Sequence, residues 1–241
     1  MAAPRLEVGG TLRATREEFS DQSGTILRLT LLFSALNGAT ALLTLAGGVG
    51  WAVSMGIAIL LGAAYTGMIT GLICLRRGRA GEIGELWEAV KPVLARLIWV
   101  TLVAAVGVIA GMFAFILPGL ALATFWSVSA QAVMVERRGV FDALGRSFAL
   151  VRGNAWPAFG FLAVLGLISV LLLLLVFIVC RPLGDGIAYE VASSTLGNLV
   201  STPFLAVGSA VLYRQLTTLE RGTDEPAATD PESGLPPDLR P

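Results

Sequence analysis

Glu136, Arg137, Arg146 and Arg152 place one carboxylate and three guanidiniums close together in the chain. A guanidinium fork matches the two oxygens of a phosphate or a carboxylate. The cluster therefore reads as a contact for lipid phosphate or for an acidic segment of a partner. It reads equally as an internal ion-pair network, with Glu136 joined to Arg146 or Arg152. A second set, Asn37, Gln131 and Asn198, puts uncharged amides inside long apolar stretches, near Thr40, Ser127, Ser129, Ser201 and Thr202. Such groups either line a polar path at mid-depth, with Pro203 freeing a helix carbonyl, or hydrogen-bond helices to one another at about 0.6 kcal/mol each.

Catalytic chemistry finds little support. The 241 residues contain no histidine, which removes Ser-His-Asp and Cys-His catalysis and His-ligated zinc. Ser147 has no base within sequence reach. Cys74 and Cys180 form no CxxC motif, and Gly47-Gly48-Val49-Gly50 lacks the Lys-Ser/Thr ending of a phosphate loop. No catalytic residue, cofactor or metal is expected, and the chain is read as a non-enzyme. Lysine plus arginine and aspartate plus glutamate each number 17, so no net basic field exists to attract nucleic acid.

The elements that must position these groups are membrane spans. The chain is 55% hydrophobic and only 14% charged, with a mean hydropathy of +0.78. A spanning helix needs about 20 mostly apolar residues. Runs of that kind lie at about 26–47, 51–75, 97–117, 120–135, 158–180 and 191–212. The expected fold is all-α, a polytopic bundle of six transmembrane helices. Residues 1–25 form an N-terminal segment, 26–216 the membrane domain and 217–241 a polar, proline-rich tail expected to be disordered. Pro118-Gly119 is read as the turn between spans 3 and 4. The first 24 residues carry no apolar signal-peptide core. Of the 17 basic residues all but Arg181 fall before or at the start of span 1, between spans 2 and 3 or 4 and 5, or after span 6. The positive-inside rule then places both termini in the cytoplasm.

The outer loops are short, so the spans pair into three hairpins. The two longer inner loops are amphipathic. In 81–96, Ile83, Leu86, Trp87, Val90, Val93 and Leu94 recur at helical spacing, opposite Glu82, Glu85 and Glu88, and Pro92 predicts a kink before span 3. In 139–152 the expected apolar face is Phe141, Leu144, Phe148 and Val151. Both are expected to lie in the headgroup region between hairpins. Residues 12–19 repeat the pattern weakly. A parallel repeat would give a pseudo-threefold bundle about the membrane normal. Gly67–Gly71 and Gly107–Gly111 are GxxxG spacings that allow close helix approach, within the bundle or between protomers. The expected partners are membrane lipids, and a membrane-protein partner or a second copy of the chain.

One stretch carries a resemblance. Ile116-Leu117-Pro118-Gly119-Leu120, then Trp126-Ser127-Val128, then Glu136-Arg137-Arg138-Gly139 with Ala143-Leu144-Gly145-Arg146-Ser147 and Leu150-Val151-Arg152-Gly153-Asn154-Ala155-Trp156 resemble the glycerophosphoryl diester phosphodiesterase membrane-domain family. Thr202-Pro203-Phe204, Val211-Leu212-Tyr213 and Glu220-Arg221-Gly222-Thr223-Asp224 resemble the close of its stand-alone actinobacterial members. The resemblance covers spans 3 to 6 and implies a multi-pass protein of a bacterial plasma membrane. Some relatives fuse this domain to a phosphodiesterase that uses carboxylates and histidines. A chain without histidine is not expected to carry that activity, so the resemblance implies topology and not hydrolysis.

Overall fold

A computed structural model describes residues 6–75, 83–184 and 186–224. Every regular element among them is helical: α1 (Val8–Asp21), α2 (Ser23–Thr40), α3 (Gly47–Thr70), α4 (Ile83–Val90), α5 (Leu94–Ala114), α6 (Ile116–Phe125), α7 (Ser129–Glu136), α8 (Val140–Arg152), α9 (Ala155–Cys180) and α10 (Ile187–Asp224), with short 3-10 or π turns between or beyond several of them. Six segments are long and apolar enough to cross a bilayer: Ser23–Thr44, Gly47–Leu75, Ile83–Ala114, Ile116–Glu136, Ala155–Leu183 and Ile187–Gly222. The protein is an all-α, multi-pass membrane protein. Leu117, Phe113 and Ile178, at 82%, 89% and 70% exposure, belong to an apolar surface suited to lipid.

Local chemistry sets the turns. Gly47 joins spans 1 and 2 with φ +74, a conformation open to glycine at little cost. Between spans 3 and 4 the chain does not turn at Pro118-Gly119, as the dipeptide suggested. It turns three residues earlier, at the extended Phe115 (φ −163, ψ 146), and Pro118 sits in the first turn of α6, where its missing N–H would have no helical partner. Gly119 has a different job. A Cβ there would fall 2.7 Å from the Met112 backbone nitrogen, so its bareness allows α5 and α6 to cross closely. The GxxxG glycines serve the same end inside the chain. A Cβ on Gly67 would meet Leu97 Cδ1 at 2.8 Å, and one on Gly107 would meet Trp126 Cζ3 at 2.3 Å.

The hairpins pack in a cyclic order. Within each, the two spans lie side by side: α2 on α3, α5 on α6, α9 on α10. Between hairpins, α3 meets α5, α6 meets α9, and α10 meets α2, while α3, α7 and α10 touch one another. Spans 2, 4 and 6 thus form an inner set, and the outer spans 3 and 5 are the least buried.

Each lead-in helix tucks under the preceding hairpin: α4 against α3, α8 against α5, α6 and α7, and α1 against α9 and α10. On α8 the expected apolar face divides. The face of α8 that packs is Ala143, Leu144, Ser147, Leu150 and Val151, all buried. Phe141 and Phe148, assigned to that face, stand exposed. Leu86, Val90 and Val93 are buried as the amphipathic reading of 81–96 expects, and the 3-10 turn Lys91–Val93 carries the kink at Pro92. Gly81 and Glu82 lie outside the described residues. At the other end of the chain α10 continues to Asp224, so residues 217–224 are helical and not part of a disordered tail. From 225 onward the tail lies outside the described residues.

Candidate functional site

The lead-in helices and the end of α10 gather at one end of the bundle, which we call the basic end. There Glu136 and Arg146 meet. Glu136 closes α7, and Arg146 projects from the middle of α8. The Arg146 Nε donates to both Glu136 oxygens at 2.9 and 3.2 Å, while Nη1 and Nη2 donate to the two Glu220 oxygens at 2.6 Å each. Tyr213 donates its hydroxyl hydrogen to Glu136 Oε1 at 2.8 Å, and Arg138 also pairs with Glu136. One guanidinium therefore ties α7, α8 and α10 with all three of its nitrogens. Its hydrogen bonds to Glu220 and then Glu136 outweigh partial desolvation and hold Arg146 more firmly charged than a free arginine.

Arg137 and Arg152 do not join this node; both side chains are exposed. Arg137 serves through its backbone. It adopts φ 53 to end α7, and its carbonyl accepts a hydrogen bond from Arg96 Nη1 at 2.9 Å. Arg214 pairs with Glu18 of α1 at 2.7 Å, and Asn154 accepts the Leu6 amide hydrogen at 3.0 Å. A cavity of about 540 Å³ lies beside the node, with Glu136, Arg146, Tyr213, Arg214 and Arg221 in its wall.

Ser147 has a backbone role. Span 4 is not one helix: it breaks at Trp126–Val128 between α6 and α7. Ser147 Oγ donates to the Phe125 carbonyl at 2.7 Å and accepts from the Val128 N–H at 3.3 Å. One hydroxyl thus satisfies a donor and an acceptor that the break leaves open, in a place where an unpaired backbone group is costly.

The polar set within the spans divides. Asn37 of α2 and Asn198 of α10 share a cavity of about 300 Å³ between spans 1, 2 and 6, with Thr30, Ser34, Tyr65 and Thr202 also in its wall. Gln131 is elsewhere. Its Nε2 donates to Ser209 Oγ at 2.7 Å, and Ser209 lies 11 residues beyond Asn198, about 16 Å along α10 toward the basic end. The three amides do not form one path.

Around the cavity the helices are locked. Ser34 donates to the Thr195 carbonyl, and a Cβ on Gly38 would fall 1.8 Å from Thr195 Oγ1. Thr30 donates to the Ile26 carbonyl at 2.7 Å and lies 2.8 Å from the Tyr65 hydroxyl. Asn198 Nδ2 donates to the Ser194 carbonyl at 2.8 Å. The Asn37 backbone carbonyl accepts from the Thr40 hydroxyl at 2.6 Å, and its side-chain amide has no hydrogen-bond partner among the described residues.

Sequence reasoning missed Tyr213 and Glu220 as partners of the node. They sit seven residues apart, two helical turns on one face, but the pattern shows only if span 6 is continued past residue 216. Among the described residues no group of three or more acidic or thiol side chains could hold a metal ion. Comparisons with protein-family models, with curated proteins and with solved structures give no match to this chain.

Proposed function

We propose that this is a non-catalytic accessory subunit of a bacterial plasma membrane, with both termini and the basic end in the cytoplasm. The reading includes the resemblance to the glycerophosphoryl diester phosphodiesterase membrane-domain family, taken as a statement about architecture. The node of Glu136, Arg146, Tyr213 and Glu220 carries it. The charged groups best suited to chemistry are engaged with one another and stiffen the end of the bundle. The exposed Phe141 and Trp156, at 78% and 83%, flank that end and suit a headgroup layer or the apolar face of a membrane-protein partner.

The expected outcome is co-purification in mild detergent with one membrane protein at fixed stoichiometry, lost in the Phe141→Asp, Trp156→Asp double variant while the bundle stays folded. A protein that purifies alone and moves a solute across liposomes overturns the reading. Orientation has its own test. With Cys74 and Cys180 replaced by alanine, a single cysteine at the exposed position 152 is expected to resist an impermeant thiol reagent added outside intact cells. Labelling there would invert the topology.

A second reading, a carrier for a weakly polar solute, draws on the cavity shared by Asn37 and Asn198.

A further inference from the structure

We propose that the cavity between spans 1, 2 and 6 binds the polar end of a neutral, hydroxyl-bearing amphiphile that enters from the lipid. Its volume, about 300 Å³, lies at the lower bound of ligand pockets. That is enough for a small head and the first part of a chain.

The hydrogen-bond inventory defines the head. Thr30 spends its only hydrogen on the Ile26 carbonyl at 2.7 Å, so across the 2.8 Å contact with Tyr65 it acts as acceptor and Tyr65 as donor. The Tyr65 oxygen keeps its acceptor capacity. Asn37, in the same wall, offers a side-chain amide whose two N–H donors and Oδ1 acceptor no described residue engages. An acceptor and a donating amide together match a hydroxyl, which donates once and accepts. An alkane would leave both wall groups unpaired, and burying unpaired polar groups is costly.

Charge is excluded by the same wall. Thr30, Ser34, Asn37, Asn198, Thr202 and Tyr65 are its polar members, and among the described residues no carboxylate, ammonium or guanidinium lines it. An ionic head would enter a span without a counter-ion.

The route in is given by Gly62. It lines the cavity and is itself exposed, and a Cβ built on it would have no heavy atom within 4 Å. On a spanning helix that exposed side faces lipid, so the mouth opens laterally. The same open space lets Gly62→Leu put a bulky side chain at this mouth without displacing a neighbour.

The site stands on the cavity itself, and the accessory reading does not depend on it. Protein in nanodiscs is photolabelled with a diazirine-bearing dodecanol, and the adducts are mapped by mass spectrometry. Saturable labelling of residues 26–40, 58–66 and 195–203 is expected, competed by dodecanol and not by dodecane or laurate. Gly62→Leu should abolish it. Tyr65→Phe and Asn37→Leu should each weaken it about five- to tenfold, with Asn37→Leu leaving the melting temperature unchanged because it breaks no bond within the protein. Labelling that does not saturate, that dodecane competes equally, or that survives Gly62→Leu overturns the proposal. A flux assay on the same protein in liposomes separates the readings: saturable binding without movement keeps the site and ends the carrier reading.

Discussion

The seam between spans 1 and 6 and the seam between spans 4 and 5 hold the same rank in the cyclic packing, yet their chemistry is opposite. Each joins the second span of one hairpin to the first span of the next. The first is polar and interlocked: Ser34 on the Thr195 carbonyl, Gly38 against Thr195, and Thr44 donating to Glu190 at 3.0 Å. The second holds a cavity of about 350 Å³ lined by Leu117, Leu120, Phe125, Trp156 and Phe159, apolar apart from Thr124. Span 5 is held instead through α8, the helix that leads into it: Arg146 pairs with Glu136 and Glu220 at the ends of spans 4 and 6, and Ser147 bonds the Phe125 carbonyl midway along span 4. Lipid is as apolar as leucine, so hydrophobic burial does little to join helices in a bilayer. A seam must then be closed by small-residue contact, by hydrogen bonds, or by charge at the membrane surface. One seam uses the first two within the membrane, and the other relies on the third at its edge.

The contrast sets the order of expected effects. Gly38→Val drives a branched side chain into Thr195 and should destabilise the protein by about 3 kcal/mol, read as a loss of thermal stability in nanodiscs. A loss below about 0.5 kcal/mol would show that the polar seam is not interlocked. Arg146→Met leaves Glu136 and Glu220 without their shared partner. Because Glu220 is 37% exposed, solvent screening reduces the expected cost to about 2 kcal/mol. Adding Glu220→Gln should recover part of it, and strict additivity of the two changes would break the account of the node. The smallest effect belongs to Ala121→Leu in the apolar seam. Filling that space should be neutral or stabilising by about 0.5 kcal/mol, and a strong loss would mean the cavity is closed in the bilayer.

Some of this was legible in the chain and some was not. The existence of six spans was, because an apolar run long enough to cross a bilayer is a local property; four of them agree at both ends to within four residues, whereas the segment of span 3 starts 14 residues earlier, at Ile83, and that of span 6 runs 10 residues further, to Gly222. The turn at Phe115 was not: Pro118-Gly119 has turn chemistry, but a proline in the first turn of a helix costs nothing, so the dipeptide fits either place. The amphipathic pattern located α4 and α8. Of the apolar face expected on α8, Leu144 and Val151 pack into the bundle while Phe141 and Phe148 stand exposed, a division that spacings of three and four do not resolve. Of the candidate charges, Glu136 and Arg146 came together, and Arg137 and Arg152 remained outside. Of the candidate amides, Asn37 and Asn198 share a wall and Gln131 bonds Ser209 instead. Sequence spacing gives no depth for a residue on a helix whose entry point is set by its neighbours.

Composition and periodicity by themselves determined an all-α membrane protein of six spans with amphipathic lead-ins, since each of those features depends on residues adjacent in the chain. The tertiary structure alone decided which polar groups meet. Residues 136, 146, 213 and 220 lie on three helices, and those that close the seam of spans 1 and 6 lie on two. Their partnerships exist only after the helices have taken their order and their depth. A hydrogen bond acts over about 3 Å, and no local rule along the chain sets a distance of that size between separate spans.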